Sequence, residues 1–135
     1  MIIKEPYEYQ IGADVFQGVI CYDNDIQMPL PGVLVSHQYT GCSKLEERKC
    51  EFLAKAGYFA FAVDLYGKGI RGKTPEESLD LMNQLSKDRK LLAKRINYSL
   101  TLLKNHQFVD SKKIAAIGYC FGGRCVIDLA RSGAD

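Results

Sequence analysis

The stretch KIAAIGYCFGG, residues Lys113–Gly123, decides the fold prediction for this chain. It opens with the apolar run Ile114–Ile117, which is typical of a short buried strand. A strand, a tight turn and a helix with a reactive side chain at the turn form the pattern of a nucleophile elbow. The elbow strains its central residue, Cys120, so small residues are needed two positions away on both sides, and Gly118 and Gly122 supply them. The pattern predicts that Cys120 attacks an acyl carbon.

Other readings of this stretch are weaker or excluded. Free cysteines are often buried in cores, so Cys120 could be a packing residue. The glycine spacing is not that of a dinucleotide fingerprint, and no Gly-Lys-Ser/Thr of a phosphate loop is present. Cys125 is expected to pack on the helix rather than to pair with Cys120. A thiol at a helix N-terminus also lies near aligned backbone N–H groups, which favours the nucleophilic reading.

The rest of the chain alternates strands and helices, which predicts an α/β fold with a mostly parallel sheet and flanking helices. Two strands around the turn at Gly12 form an N-terminal hairpin. The expected strands are Tyr7–Ile11, Val15–Tyr22, Val33–Val35, Tyr58–Leu65 and Ile114–Ile117. The sequence shows neither an internal repeat nor a linker, so we expect a single domain spanning residues 1–135.

Helix signals lie between these strands. Ser43 and Glu46 form a capping box, and Gly57 is a C-terminal stop. Thr74 and Pro75 begin a second helix. Apolar positions mark one face in each of two helices: Leu45, Phe52, Leu53 and Ala56 in the first, and Leu92, Ile96, Ser99, Leu100 and Leu103 in a long helix that ends at Asn105. A last helix is expected to run through Val126, Ile127, Leu129 and Ala130.

Composition limits the classes of function. The 135 residues are 47% hydrophobic and 25% charged, which is ordinary for a globular domain. The net charge of +2 without a basic stripe argues against nucleic-acid binding. No apolar run approaches the ~20 residues of a membrane span, and the N-terminus lacks a secretory apolar region. Five cysteines without a close pair suggest neither a disulfide framework nor a zinc site. We expect a reduced, cytoplasmic protein without a metal or cofactor.

Several further residues are candidates by position. Gln38 and Tyr39 follow a strand at the place where a loop should supply an oxyanion-hole donor. His37 could be a general base, although a structural role is the more common one there. Asp64 ends a strand and is expected to cap the following loop rather than to act in catalysis. That loop carries Lys68, Arg71 and Lys73, which could bind an anionic substrate or be solvated.

With these segments identified, the chain resembles the dienelactone hydrolase family of α/β-hydrolases. The resemblance is carried by Gly32–Gly41, Ala62–Gly69 and Lys113–Gly123. The last stretch is the most specific, since a Cys elbow flanked by Tyr and Phe-Gly-Gly is unusual among α/β-hydrolases. The resemblance runs from about Tyr7 onward and covers the N-terminal part of the family's domain. It implies an α/β-hydrolase-type sheet truncated after the elbow helix.

The resemblance also implies roles for individual residues. Cys120 matches the nucleophile, and the backbone N–H groups of Tyr39 and Phe121 match the oxyanion-hole donors. Gln38 falls where dienelactone-specific members carry a glutamate that contacts the resting thiol. Lys68 falls where those members place an arginine for the substrate carboxylate, and Arg71 is grouped with it as substrate-binding. Both exchanges weaken the prediction that the substrate is a dienelactone.

In α/β-hydrolases the acid and the His follow the nucleophile. Only Asp128 and Asp135 follow Cys120 here, and no His does. Asp128 is expected to point away from the turn. The first hypothesis is therefore a Cys-dependent hydrolase of small esters or lactones that needs residues from elsewhere, by self-association or by a complementing C-terminal half. The alternatives are a catalytically incomplete remnant or interaction protein, and a thiol redox sensor using Cys120.

Overall fold

The computed structural model describes residues 1–133 as five strands and four helices. The strands are β1 (Ile2–Ile11), β2 (Asp14–Asp23), β3 (Leu30–Ser36), β4 (Phe59–Ala62) and β5 (Val109–Gly118). The helices are α1 (Lys44–Lys55), α2 (Pro75–Lys87), α3 (Arg89–Asn105) and α4 (Phe121–Arg131). The predicted elements are all present, although β1, β3 and β5 are longer than predicted and β4 ends three residues earlier.

The strands form one mixed sheet in the order β1-β2-β4-β3-β5. β3 pairs in parallel with β4 on one side and with β5 on the other, while the hairpin β1-β2 joins β4 antiparallel. The carboxyl ends of the three parallel strands therefore meet at one edge of the sheet. In open α/β sheets, this is the edge at which ligands bind.

Helices cover both faces of the sheet. α1 packs against β2, β3 and β4 on one face, whereas α3 and α4 pack against β3 and β5 on the other. Each face has its own apolar core, one built around Phe16, Phe61 and Leu34, and one around Val33, Val35 and Cys50. The five predicted α3 residues are all buried, as their spacing indicates.

The buried face of α1 differs from the prediction. Ser43 and Glu46 form the predicted capping box, and Gly57 follows the helix with a φ of +99°. However, α1 buries Glu46, Cys50 and Ala54, whereas Phe52 is 74% exposed and Leu45 is 41% exposed. The carboxylate of Glu46 tolerates burial because it accepts hydrogen bonds from the backbone N–H and the hydroxyl of Ser43, both at 2.9 Å.

The strand predicted to be buried at Ile114–Ile117 is only partly covered. β5 lies at the end of the sheet, and within residues 1–133 it pairs with β3 alone. Ala115 is exposed, and Ile114, Ala116 and Ile117 are half-buried. α4 buries Phe121, Gly122, Cys125 and Leu129, whereas Ile127 is 54% exposed.

Candidate active site

Cys120 occupies a strained turn between β5 and α4. Its φ of 53° and ψ of −120° make it the one non-glycine residue with positive φ among residues 1–133. Such a conformation typically costs about 1–3 kcal/mol and persists only where the surroundings enforce it. The Cys120 thiol is exposed, whereas the other four cysteines are buried. Geometry and exposure therefore distinguish Cys120 from every other thiol in the chain.

Backbone packing on both sides explains the glycines of this turn. A Cβ on Gly122 would overlap the carbonyl oxygen of Ser36 and lie 2.7 Å from that of His37. A Cβ on Gly118 would overlap the backbone of Gly122 and lie 2.8 Å from the nitrogen of Gly123. Only glycine lets the three backbone segments approach this closely. The turn is thus braced against the end of β3, which is the neighbouring parallel strand.

Tyr66 connects the loop after β3 to this turn. Tyr66 itself lies in the loop after β4, and its ring stacks on that of Phe121, with centroids 6.2 Å apart. Its hydroxyl donates to the carbonyl of Tyr39, in the loop after β3, at 2.8 Å. Within residues 1–133, neither the backbone N–H of Tyr39 nor that of Phe121 has a protein acceptor. The structure therefore leaves unpaired the two donors that the sequence singled out.

His37 is a buried structural residue rather than a free base. It is fully buried, its Nε2 accepts the N–H of Leu65 at 3.0 Å, and its Nδ1 lies 2.6 Å from the carbonyl of Gln38. Nδ1 must carry the proton, because Nε2 is already an acceptor and a carbonyl can only accept. Burial lowers the pKa of His37 to about 4. Both ring nitrogens are committed, so the ring cannot take a proton from Cys120 as it stands.

Asp64 caps the loop after β4, as predicted. It is fully buried, and its carboxylate accepts the backbone N–H groups of Gln17, Tyr66 and Gly67, each at 3.0 Å. Arg71 adds a contact from Nη1 at 3.4 Å. The hydrogen bonds hold the loop that carries Tyr66, so Asp64 acts on the site through the backbone.

The predicted substrate-binding residues differ in their surroundings. The guanidinium of Arg71 donates to the backbone carbonyls of Gln17, Cys42, Gly67 and Ile70 as well as to Asp64. These contacts make Arg71 a brace of its own loop and leave it less free for a ligand than the sequence suggested. Lys68 is half exposed and pairs with Glu8. The side chain of Gln38 makes no hydrogen bond with residues 1–133, while its carbonyl accepts from His37 and Gly41.

Asp128 is held away from the turn. It forms an ion pair with Arg89 at the start of α3, with 2.6 Å between Nη2 and Oδ1. This agrees with the expectation that it points away from Cys120. Asp135, the other acid after Cys120, lies outside the described residues.

Among the described residues there is neither a candidate metal-binding cluster nor a candidate membrane-spanning helix. Among residues 1–133, no cluster of three or more His, Cys, Asp or Glu side chains could hold a metal ion. No helix in this part of the chain is both long and apolar enough to cross a membrane.

Comparison with known proteins identifies the family. The sequence model of the dienelactone hydrolase family matches residues 16–135. The chain belongs to the dienelactone hydrolase family. The "Putative carboxymethylenebutenolidase" of Aquifex aeolicus (strain VF5) is 35% identical over 104 residues, which are 74% of this chain and 45% of that protein. Protein usf of Aquifex pyrophilus is 33% identical over 97 residues, which are 69% of this chain and 42% of that protein.

Solved structures of the same family have the same fold. The structure of m3DLH superimposes with a TM-score of 0.94 at 32% identity, over 98% of this chain and 55% of that one. The dienelactone hydrolase-like promiscuous phosphotriesterase P91, from metagenomic libraries, gives a TM-score of 0.92 at 29% identity with the same coverage. The present chain therefore spans about half the length of the proteins it matches, and it has their α/β-hydrolase architecture.

Proposed function

We propose that this chain carries the nucleophile and the oxyanion-binding donors of a Cys-dependent hydrolase of small esters or lactones. The single observation that carries the proposal is the position of Cys120: an exposed residue in a strained strand–helix turn, followed directly by Phe121, whose backbone N–H has no acceptor within residues 1–133. The turn has the features of a nucleophile elbow. The chemistry agrees with the names of the relatives, which include a "Putative carboxymethylenebutenolidase" and, from Bradyrhizobium sp, a "Probable 2-oxo-3-(5-oxofuran-2-ylidene)propanoate lactonase".

The proposed reaction has two steps. The Cys120 thiolate attacks the acyl carbon, a C–S bond forms, and the carbonyl oxygen becomes an oxyanion that the N–H groups of Tyr39 and Phe121 stabilise. The intermediate collapses as the C–O bond to the leaving group breaks, which releases an alcohol and leaves a thioester on Cys120. Water then attacks the thioester and releases the carboxylic acid and the free thiol.

Proton transfer in both steps needs a base, and among residues 1–133 the two candidates, His37 and Asp128, are already engaged. His37 is buried with both ring nitrogens engaged, and Asp128 is paired with Arg89. We therefore propose that the acid–base partner comes from outside these residues. The thiol should form the acyl-enzyme with a reactive ester, and hydrolysis of that thioester should be slow without the partner.

The experiment is to trap this acyl-enzyme. The chain is mixed with an aryl acetate, quenched within seconds and analysed by intact mass and peptide mapping. We expect one acetyl group, carried by Cys120, and none on Cys120→Ala under the same conditions. Alkylation with iodoacetamide should likewise modify Cys120 before the four buried cysteines. Acetylation or alkylation that begins at Cys21 or Cys50 would refute the assignment.

A further inference from the structure

A cleft lies at the same edge of the sheet as Cys120. It has a volume of about 330 Å³ and lies between α2, the start of α3 and the loop 66–70. Part of its wall is apolar, from Leu81 and Leu85 of α2, Leu91 of α3, and Ile70, and the rest is polar, from Asp14, Lys68, Gln84 and Arg95. At about 30 Å³ per water-sized group, the cleft has room for about ten non-hydrogen atoms.

Arg95 lines this cleft and is held in place by two contacts. Its Nη1 donates to the carbonyl of Leu65 at 2.7 Å, and its Cζ lies 5.0 Å from the centroid of the Phe16 ring. The side chain is half-buried, so its stem packs and its position is fixed. Neither Nε nor Nη2 has an acceptor within residues 1–133, and Arg95 forms no ion pair there. A pre-positioned guanidinium with unused donors is suited to a planar anion.

The other charged groups at the cleft favour a single negative charge. Lys68 lines the rim but is paired with Glu8, and Asp14 also lines the cleft. A dianion such as phosphate would place its second charge near Asp14, and the other cation of the lining, Lys68, is already paired with Glu8. A carboxylate with a short alkyl tail matches both parts: the head group pairs with Arg95, and the tail contacts the leucines.

We propose that this cleft binds a small aliphatic carboxylate, with Arg95 as the group that recognises its head. Tyr66 lines the cleft, and its ring stacks on that of Phe121, the residue after Cys120. The cleft is thus adjacent to the proposed reaction site. The proposal does not depend on Cys120 being a nucleophile, because it uses none of that residue's chemistry.

The test is a titration with hexanoate, followed by NMR through the Arg95 Nε–H and the leucine methyl resonances. Hexanamide, a neutral analogue of the same shape, and inorganic phosphate are titrated in parallel. We expect saturable shifts with hexanoate and binding about tenfold weaker or worse for the other two, since charge-assisted hydrogen bonds are the stronger ones. The source of the carboxylate is distinguished by adding a half-ester of a dicarboxylic acid: preference for the half-ester indicates a substrate, and preference for the free acid indicates a product.

Variants separate the role of Arg95 from general effects of charge. Arg95→Gln should weaken hexanoate binding about tenfold or more, and Lys94→Gln, which removes an exposed neighbouring charge from the same helix, should leave it unchanged. Arg95→Lys keeps a cation that can still reach Leu65 but loses the fork, and should bind about threefold or more weakly.

Four outcomes would overturn the proposal. They are no saturable binding of hexanoate up to about 10 mM, equal binding of hexanamide, tighter binding of phosphate, and hexanoate binding by both Arg95→Gln and Arg95→Lys at wild-type affinity. Circular dichroism of each variant checks that the comparison is made between folded proteins.

Discussion

Substituting Gly122 by Ala tests whether the turn at Cys120 is held by backbone packing. The added Cβ would overlap the Ser36 carbonyl oxygen and lie 2.7 Å from that of His37. Both oxygens belong to the end of a central strand or the residue after it, so neither can swing away as a flexible side chain would. The turn or the strand end must move for the methyl group to fit.

The expected loss in the free energy of unfolding of Gly122→Ala follows from two opposing effects. Overpacking against rigid neighbours typically costs about 1–3 kcal/mol, and alanine in place of glycine inside a helix returns up to about 1 kcal/mol. Because the clash is with backbone on two sides, we take the upper end of the first range and expect a net loss of about 2 kcal/mol. For a chain of this size, that corresponds to a decrease in Tm of about 8 °C.

The assay is urea and thermal denaturation followed by circular dichroism, with Gly123→Ala as the matched control. A Cβ on Gly123 would come no closer than 3.2 Å to the Gly118 carbonyl oxygen, and the residue lies in the same helical turn. That variant should therefore change the free energy of unfolding by less than about 1 kcal/mol. If Gly122→Ala is as stable as Gly123→Ala, the turn is not held by the contacts described here, and its strain needs another cause.

Three further predictions follow from the site and the open edge. Turnover of an aryl acetate by this chain should be slow and close to that of Cys120→Ala, because His37 and Asp128 are already engaged. Turnover like that of a complete esterase, lost in Cys120→Ala, would contradict this. The pKa of His37 is about 4 in the folded chain and near 6.5 in the unfolded chain. The free energy of unfolding should therefore decrease as the pH falls from 6.5 toward 4, by about 1.4 kcal/mol per pH unit. The urea midpoint of His37→Gln should fall less than that of the wild type over this range, and parallel curves would refute the assignment. The open edge of β5 should cause self-association at micromolar concentration. Ala115→Lys should reduce this association in sedimentation experiments. A monomeric wild-type chain would show that the unpaired edge does not recruit a second copy.

The sequence predicts the fold well wherever a local signal is unambiguous. The Ser43–Glu46 capping box, Pro75 at the start of α2 and the buried face of α3 are each specified by residues close together in the chain. The turn at Cys120 is predictable for the same reason, since its glycines and its apolar strand are contiguous. In these cases the spacing of nearby residues in the sequence is enough to predict the local structure.

Prediction from the sequence fails where the burial or the hydrogen bonds of a residue depend on distant parts of the chain. The buried side of α1 is set by the sheet on which it packs, and the apolar Phe52 lies on the other side. The partial exposure of Ile114, Ala116 and Ile117 follows from the position of β5 at the end of the sheet. The hydrogen bond from the Leu65 N–H to His37, and the five acceptors around Arg71, join segments that no local pattern relates. The free donors of Arg95 are of this kind too, because they depend on where Leu65 and Phe16 come to lie.

Because backbone contacts hold the turn around Cys120, the side chain at position 120 can be changed without changing the backbone that supports it. The positions of Gly118 and Gly122 are fixed by main-chain atoms, whereas the Cys120 side chain is exposed and Tyr119 before it is 52% exposed. A mutational library that varies positions 119, 120 and 124 would thus sample different nucleophiles and side walls on an unchanged scaffold. A library that varies 118 or 122 would mostly sample misfolded proteins. The same asymmetry would let a lineage exchange cysteine and serine at position 120 by a single substitution while its glycines stay fixed.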